Sequence, residues 1–550
     1  MSKIISRVKE ALCKLNIWEY GALLLFLFNI SVVVYFNLSD LRLSLDPDFA
    51  ITVYHMREMV NKGTPVLQDF CITTSMEYDN TILFAAPLYA MTHNAFLSVG
   101  ISNLILVALY IFAIRNIFIA FKVKPGIQFL TMAAIFTPYD FGWLDYFKML
   151  FCAHANYGVK ALIPIMLILC MIAYDNRLFK DSFPRWKRIV FMLLYLFLLF
   201  VTCVSSGTYT IICGVLPVLM IVVITWWRKL PERKGLSKPT LVSRYTVWAG
   251  TVIVSLIGLL LYKKVYTGGS KIAPLVKFED FDFNFRAVLV GFFQIFGGLT
   301  SEELPAFSMM GIFFCLKICL AAIFMIIMFV IIVRFVKERG NYEQYMLFGV
   351  TLPVNMLILM IGDMRWGNEE VPYRYYLIGV PVFLVGVGIM LDKLISSEKF
   401  GKDSGFFCKT SMFMIPAVLV MAYISFGNFK VTRENMPNKD YVVEMTDFFK
   451  TQDVDSVFIV NDYGTALMCK AVDDSRKYAS YDSESGSIHL ELNYYNEEVS
   501  FAYYGDRNII AVPTGTALTD YIPEDKASYY TYVGDARWLN CYLSETNPFK

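Results

Sequence analysis

Charge is what this chain has least of. Lys, Arg, Asp and Glu together make up 17% of its 550 residues, where a soluble domain carries about 25%. Histidine is nearly absent, at four residues, and the four are too far apart to form a ligand pattern. Eleven cysteines are present, but none is paired as C-x-x-C or set at metal-ligand spacing with a histidine. A zinc or iron–sulfur motif is thereby excluded. Cys469 and Cys541 share the C-terminal tail, so a disulfide is open there, with free thiols the simpler expectation. The tail has no G-x-G-x-x-G and no phosphate loop, which removes an independent nucleotide site. Nothing in the charge pattern points to nucleic acid.

Apolar residues fill the gap, at 57% of the chain. Runs long enough to cross a bilayer lie near 18–38, 96–121, 125–138, 157–174, 188–206, 208–227, 242–262, 306–333, 344–361, 374–391 and 410–427. Basic loops at Lys122 and Lys124, Arg177 to Arg188, Arg228 to Lys238, Arg334 to Arg339 and Lys393 to Lys409 all fall on one side of this topology. By the positive-inside rule that side is cytoplasmic. Lys3, Arg7, Lys9 and Lys14 precede the first run, which is too long for a cleaved signal and reads as a signal-anchor. The expectation is a polytopic α-helical membrane protein of about eleven spans, N-terminus inside and C-terminus outside. The run Arg286 to Leu299 is too short to cross upright and reads as interfacial or re-entrant.

Charge divides the chain in two. From Asn428 onward there are 20 acidic and 11 basic residues, against a basic remainder. We therefore divide it into a multispanning body, 1–427, with a first outer loop at 39–95, and a soluble extracytoplasmic domain, 428–550. Within the tail, Asp440 to Thr451 reads as a helix and Ser456 to Val460 as a strand. Asn461 to Gly464 turns into another helix, and Arg507 to Pro513 reads as a second buried strand. That alternation predicts a small α/β domain.

The first outer loop carries Asp46-Pro47-Asp48. Asp46 suits a helix cap, Pro47 the first helical position and Asp48 the first turn. Phe49, Val53, Met56 and Val60 follow at helical spacing, which predicts an amphipathic helix lying on the membrane and ending at Gly63. Both aspartates are explained by starting that helix. Both also sit where a membrane-surface enzyme needs a carboxylate to activate an acceptor. A second interfacial helix is predicted from Tyr78-Asp79-Asn80-Thr81-Ile82-Leu83-Phe84 into Ala86-Pro87-Leu88, with Glu77, Asp79 and Asn80 at the aqueous edge of the same cavity or simply as helix-end polarity.

The loop Gly362 to Tyr375 (GDMRWGNEEVPYRY) also faces outward. Arg365 and Arg374 can grip a phosphate through paired hydrogen bonds, and Glu370 and Tyr375 flank them. The alternative is anchoring, with Trp366, Tyr373 and Tyr375 as an aromatic belt. His154 lies at a loop–helix junction and either faces the cavity or sits at a packed interface.

Taken together, these residues resemble the GT-C superfamily of membrane glycosyltransferases, which includes protein O-mannosyltransferases and Rgt-like lipopolysaccharide-core enzymes. The resemblance rests on Asp48-Phe49-Ala50 through Arg57-Glu58 to Gly63, then Asn80 to Leu83, Ala86 to Tyr89, and the late Arg374-Tyr375-Tyr376-Leu377. Many relatives carry Asp-Glu at the catalytic position, whereas here Asp48 is followed by Phe49 and Asp46 stands two residues before. The resemblance implies a polyprenyl-phosphate-linked sugar donor, an envelope glycan, lipid or protein acceptor, and chemistry on the outer face with inversion. It implies Asp48 or Asp46 as the catalytic carboxylate. Arg374, Tyr375, Arg365, Glu370, Asn80, Asp79 and His154 would bind substrate. No metal ligands are assigned and no cofactor is required, with a divalent ion compatible. A bacterial plasma membrane fits this reading. The competing functions are a polysaccharide polymerase and a lipid-linked-glycan flippase or transporter; the latter favours charge at the bilayer midplane.

Overall fold

The computed structural model describes residues 15–39, 41–67, 76–139, 145–174, 183–228, 238–265, 274–299, 303–338, 343–363, 373–396, 409–435, 441–488 and 501–550. The helices of the body are α1 (Ile17–Leu38), α2 (Pro47–Asn61), α3 (Ile82–Thr92), α4 (Ala95–Phe121), α5 (Pro125–Ile135), α6 (Asp145–Phe151), α7 (Gly158–Tyr174), α8 (Arg185–Ser206) and α9 (Leu216–Arg228). They continue with α10 (Lys238–Val265), α11 (Phe281–Ile295), α12 (Met309–Lys337), α13 (Glu343–Gly349), α14 (Thr351–Ile361), α15 (Gly379–Ile395) and α16 (Lys409–Asn435). Six are long and apolar enough to span a membrane: α1, α4, α8, α12, the Tyr245–Val265 part of α10 and the Lys409–Lys430 part of α16. The other expected spans are helical but shorter. The run at 344–361 is two helices, α13 and α14, and the one at 208–227 opens with a π-helical turn, Ile211–Val215.

Because the spans are apolar on every side, sparse polar contacts and small residues decide their neighbours. Asn29 in α1 donates to the Ala133 carbonyl at 2.9 Å and to Thr137 Oγ1 at 3.0 Å. Asn103 in α4 donates to Asn37 Oδ1 at 2.8 Å, and Asn37 donates to the Phe151 carbonyl at 2.9 Å. Gly100 makes this close approach feasible, since a Cβ there would stand 2.0 Å from the Asn37 carbonyl oxygen.

The tail folds as expected and then adds more. After α17 (Tyr441–Thr451) come β1 (Ser456–Val460), α18 (Tyr463–Val472), β2 (Lys477–Asp482), β3 (Ser487–Ile488), β4 (Asn508–Pro513), α19 (Glu524–Ala527), β5 (Thr531–Ala536) and β6 (Leu539–Ser544). The sheet order is β3-β2-β1-β4-β6-β5, with β1 parallel to both β2 and β4. All five residues of β1 are buried, as a central parallel strand requires. Cys469 and Cys541 are buried free thiols, so the open disulfide is not formed.

One expectation is corrected. The apolar face of α2 does not rest on a membrane surface. It packs against α3 and α4 of the body, and another side of the same helix packs against α18 of the tail. Phe49, Val53 and Met56 are fully buried. Gly464 at the start of α18 touches Pro47, where a Cβ would come within 3.0 Å. Arg57 Nη1 donates to the Lys470 carbonyl at 3.3 Å, and the Lys470 ammonium sits 3.9 Å from the Tyr54 ring centre. Thus α2 is a wedge between the body and the sheet domain.

Candidate active site

Four chain segments converge at the start of α2. They are α2 itself, the turn before α3, the α6–α7 junction and the 3-10 turn Tyr373–Tyr376. Asp46 caps α2 as its sequence suggests, accepting from the Phe49 amide at 2.8 Å through Oδ1. Its other oxygen takes the ammonium of Lys148. Burial pushes the Asp46 carboxyl up, but the Lys148 ammonium and the Phe49 amide outweigh this and hold it below the ordinary carboxylate value. Asp46 is therefore ionised with both oxygens engaged. Asp48, one turn position on, is exposed.

Facing Asp48 is Glu77, a residue the motif reading left among helix-end polarity. Glu77 lies in left-handed backbone, φ 55°. Thr52 Oγ1 stands 3.2 Å from Glu77 Oε2 and 3.1 Å from the Asp48 carbonyl oxygen. One hydroxyl hydrogen serves only one of these, and a protonated Glu77 can donate in the other. The electrostatics agree. Burial first, then the negative charge of Asp48, pushes the Glu77 carboxyl up to about 8.

The cationic side is built by Arg374 and three tyrosines. Burial opposes the Arg374 charge, but Tyr157, Tyr375 and Asp48 favour it more strongly, so the guanidinium stays charged. It lies over the Tyr375 ring at 5.8 Å. Tyr157, Tyr209 and Tyr375 form a triangle with ring centres 6.3, 6.4 and 6.1 Å apart. Tyr209 donates to the Tyr375 carbonyl at 3.2 Å. His154 is buried and stacked on Phe49 with ring centres 6.4 Å apart. Burial lowers its pKa, the charges of Asp46 and Asp48 pull it up, and Lys148 and Arg374 push it down again; the net shift is downward, leaving a neutral ring. Neither ring nitrogen has a hydrogen-bond partner among the described residues.

The remaining sequence candidates separate. Asn80 is buried and accepts from the Ile82 amide at 2.8 Å, making it a helix-start residue. Asp79 is fully buried with both oxygens engaged inside the protein. Arg365 and Glu370 lie outside the described residues. Among the described residues, no three His, Cys, Asp or Glu side chains are grouped to hold a metal ion. Lys148, Tyr157 and Tyr209 carry no site signal in the sequence, and Glu77 is there a cavity-edge residue without an assigned role.

No family model and no curated protein matches the sequence. Among solved structures, the chain is similar to ArnT from Cupriavidus metallidurans in the apo state. The TM-score is 0.52 at 10% identity, covering 95% of this chain and 98% of that one. It also aligns with the Archaeoglobus fulgidus oligosaccharyltransferase tethered to an acceptor peptide containing the NVT sequon. There the TM-score is 0.42 at 13% identity, over 83% of this chain and 63% of that one.

Proposed function

From the premise that the chain has the GT-C membrane glycosyltransferase fold, we propose that it transfers a sugar from a polyprenyl-phosphate donor to an envelope glycan, lipid or protein acceptor on the outer face of the membrane. The observation that carries this reading is geometric: Arg374 lies over the Tyr375 ring at 5.8 Å at one corner of the tyrosine triangle, and the charge of Asp48, distant in sequence, acts on the same guanidinium.

In this reading Asp48 is the base. It is the exposed carboxylate, whereas Asp46 is neutralised by Lys148 and the Phe49 amide and serves as anchor. Asp48 takes the proton of an acceptor hydroxyl as that oxygen bonds to the anomeric carbon. The bond from the anomeric carbon to the phosphate oxygen breaks, and its electron pair leaves with the polyprenyl phosphate. Arg374 stabilises the charge that develops there. Attack from the side opposite the leaving phosphate gives inversion. Tyr157, Tyr209 and Tyr375 offer apolar ring faces and hydroxyls for the donor sugar. The sheet domain, seated on α2, lies beside the acceptor's approach.

The test is the glycan composition of the cell envelope, by mass spectrometry, in wild-type, deletion and Asp48→Asn strains at matched protein levels. Loss of the same sugar in both mutants is the expected result. Loss on deletion with survival in Asp48→Asn refutes Asp48 as the base. An unchanged envelope in the deletion strain refutes the transfer itself.

A further inference from the structure

A fully enclosed charged cluster of the body adjoins the turn that carries Glu77. Asp79 Oδ1 accepts from Lys160 Nζ at 3.0 Å and from Ser205 Oγ at 2.7 Å, and Oδ2 accepts from Ser206 Oγ at 2.7 Å. Lys160 also donates to the Asn156 carbonyl at 2.7 Å and to its side-chain oxygen at 3.2 Å. Asp79 and Lys160 are both buried. The backbone adds a further tie, since the Met76 amide donates to the Ser205 carbonyl at 3.0 Å. The far end of the same turn is pinned as well. The Thr81 amide donates to the His154 carbonyl at 3.2 Å, and Ser102 Oγ donates to the Thr81 carbonyl at 2.6 Å.

We propose that Asp79 is a positioning residue: it latches the Met76–Thr81 turn to α7 and α8 and thereby holds Glu77 against Asp48. Four observations support this. Glu77 sits in a left-handed backbone conformation that a residue with a Cβ does not hold unaided. The anchors on both sides of it lie outside the turn, with Lys160, Ser205, Ser206 and Ser102 on helices of the membrane body and the His154 carbonyl in the α6–α7 junction. The Asp79 carboxylate has no face left for a substrate. A buried carboxylate is tolerated only when its hydrogen bonds are satisfied, and here Lys160 and the two serines satisfy them. The turn is thus fixed from behind, and the membrane body, through the outer end of α8, dictates where the second carboxylate of the site points. Asp79 acts through Glu77, and the effect of removing it depends on Glu77 being present.

The inference rests on the glycosyl-transfer reading for its kinetic arm and on nothing but the fold for its structural arm. The perturbation is Ser205→Ala/Ser206→Ala, which removes two hydrogen bonds to Asp79 and no charge. A companion, Asp79→Asn/Lys160→Met, removes the latch without leaving a buried ion unpaired. Full-length protein in nanodiscs is examined by hydrogen exchange with mass spectrometry. Exchange across Met76–Thr81 should accelerate at least tenfold while the interiors of α7 and α8 keep their protection. Unchanged exchange in the turn overturns the latch, whether or not transfer is observed. Transfer is then measured with radiolabelled polyprenyl-phosphate sugar and washed membranes of the deletion strain. Each variant should lose about tenfold in kcat with the donor KM within about twofold, and should lose nothing further when Glu77→Gln is already present. An equal loss with and without Glu77→Gln overturns positioning through Glu77. Faster exchange in the turn with no transfer by the wild-type protein leaves the latch standing and sinks the functional reading.

Discussion

Glu77 should make this protein less stable as the pH is raised from about 4.5 to about 8. Its carboxyl is displaced from 4.5 to about 8 by burial and by the charge of Asp48, with Asp79 adding to the rise and Thr52 and Lys160 opposing it. The sign follows from proton counting. Between those two values the folded protein holds a proton on Glu77 that the unfolded chain has lost, so stability falls as pH rises. The contribution is fully present below about 4.5 and gone above about 8. At about 1.4 kcal/mol per pH unit, the interval sets an upper bound of about 5 kcal/mol. Water reaching the partly exposed carboxyl screens this, so a loss of a few kcal/mol is expected. The assay is thermal unfolding in a non-ionic detergent from pH 5 to pH 9, comparing wild type with Glu77→Gln. The difference between them should be small at pH 5, grow in favour of Glu77→Gln as the pH rises toward about 8, and level off above it. In Asp48→Asn the neighbouring charge is gone and the Glu77 carboxyl is pushed up less, so the growth should be smaller and level off at lower pH. Parallel curves at every pH would refute the placement of Glu77, and an Asp48→Asn curve matching wild type would refute the facing pair.

Three other outcomes follow from the geometry. Asp48→Asn should lower kcat by roughly 10²–10⁴-fold with folding intact, whereas Asp46→Asn should chiefly lower thermal stability, because it strands the Lys148 ammonium; the reverse assignment of effects refutes the choice of base. Arg374→Met should cost roughly 10²–10³ in kcat if it faces the leaving phosphate, and Arg374→Lys should recover only part of that because a planar fork is replaced by a point charge; full activity in Arg374→Met rules it out of the site. Gly100→Val should destabilise by about 1–3 kcal/mol or more, since even a Cβ stands 2.0 Å from the Asn37 carbonyl; unchanged melting would mean that α1 and α4 are not in such close contact.

Local features were the legible ones. Asp46, Pro47 and Asp48 announce a helix start because capping depends on residues within one turn of each other, and the structure places them so. The strands Ser456–Val460 and Asn508–Pro513 were legible because central parallel strands are continuous apolar runs. Strands β2, β5 and β6 carry tyrosines, serines and charges among their apolar residues and gave no such signal. The apolar periodicity of α2 was read correctly as a buried face, but its partner was not. Hydrophobic spacing says that a face is covered and is silent on whether lipid or protein covers it.

What the sequence by itself determined is therefore the membrane class, the helical body, the acidic tail with its central strands, and the helix that begins at Asp46. All of these rest on composition or on contacts within a few residues. The tertiary structure decided the pairing of Asp46 with Lys148, the left-handed turn that sets Glu77 before Asp48, the meeting of Tyr157, Tyr209 and Tyr375 around Arg374, and the seating of α18 on α2. The reason is physical. Spans that are apolar on every side carry no pattern that names their neighbours, so the choice falls to a few asparagines, serines, glycines and buried ion pairs whose partners are brought close only by folding.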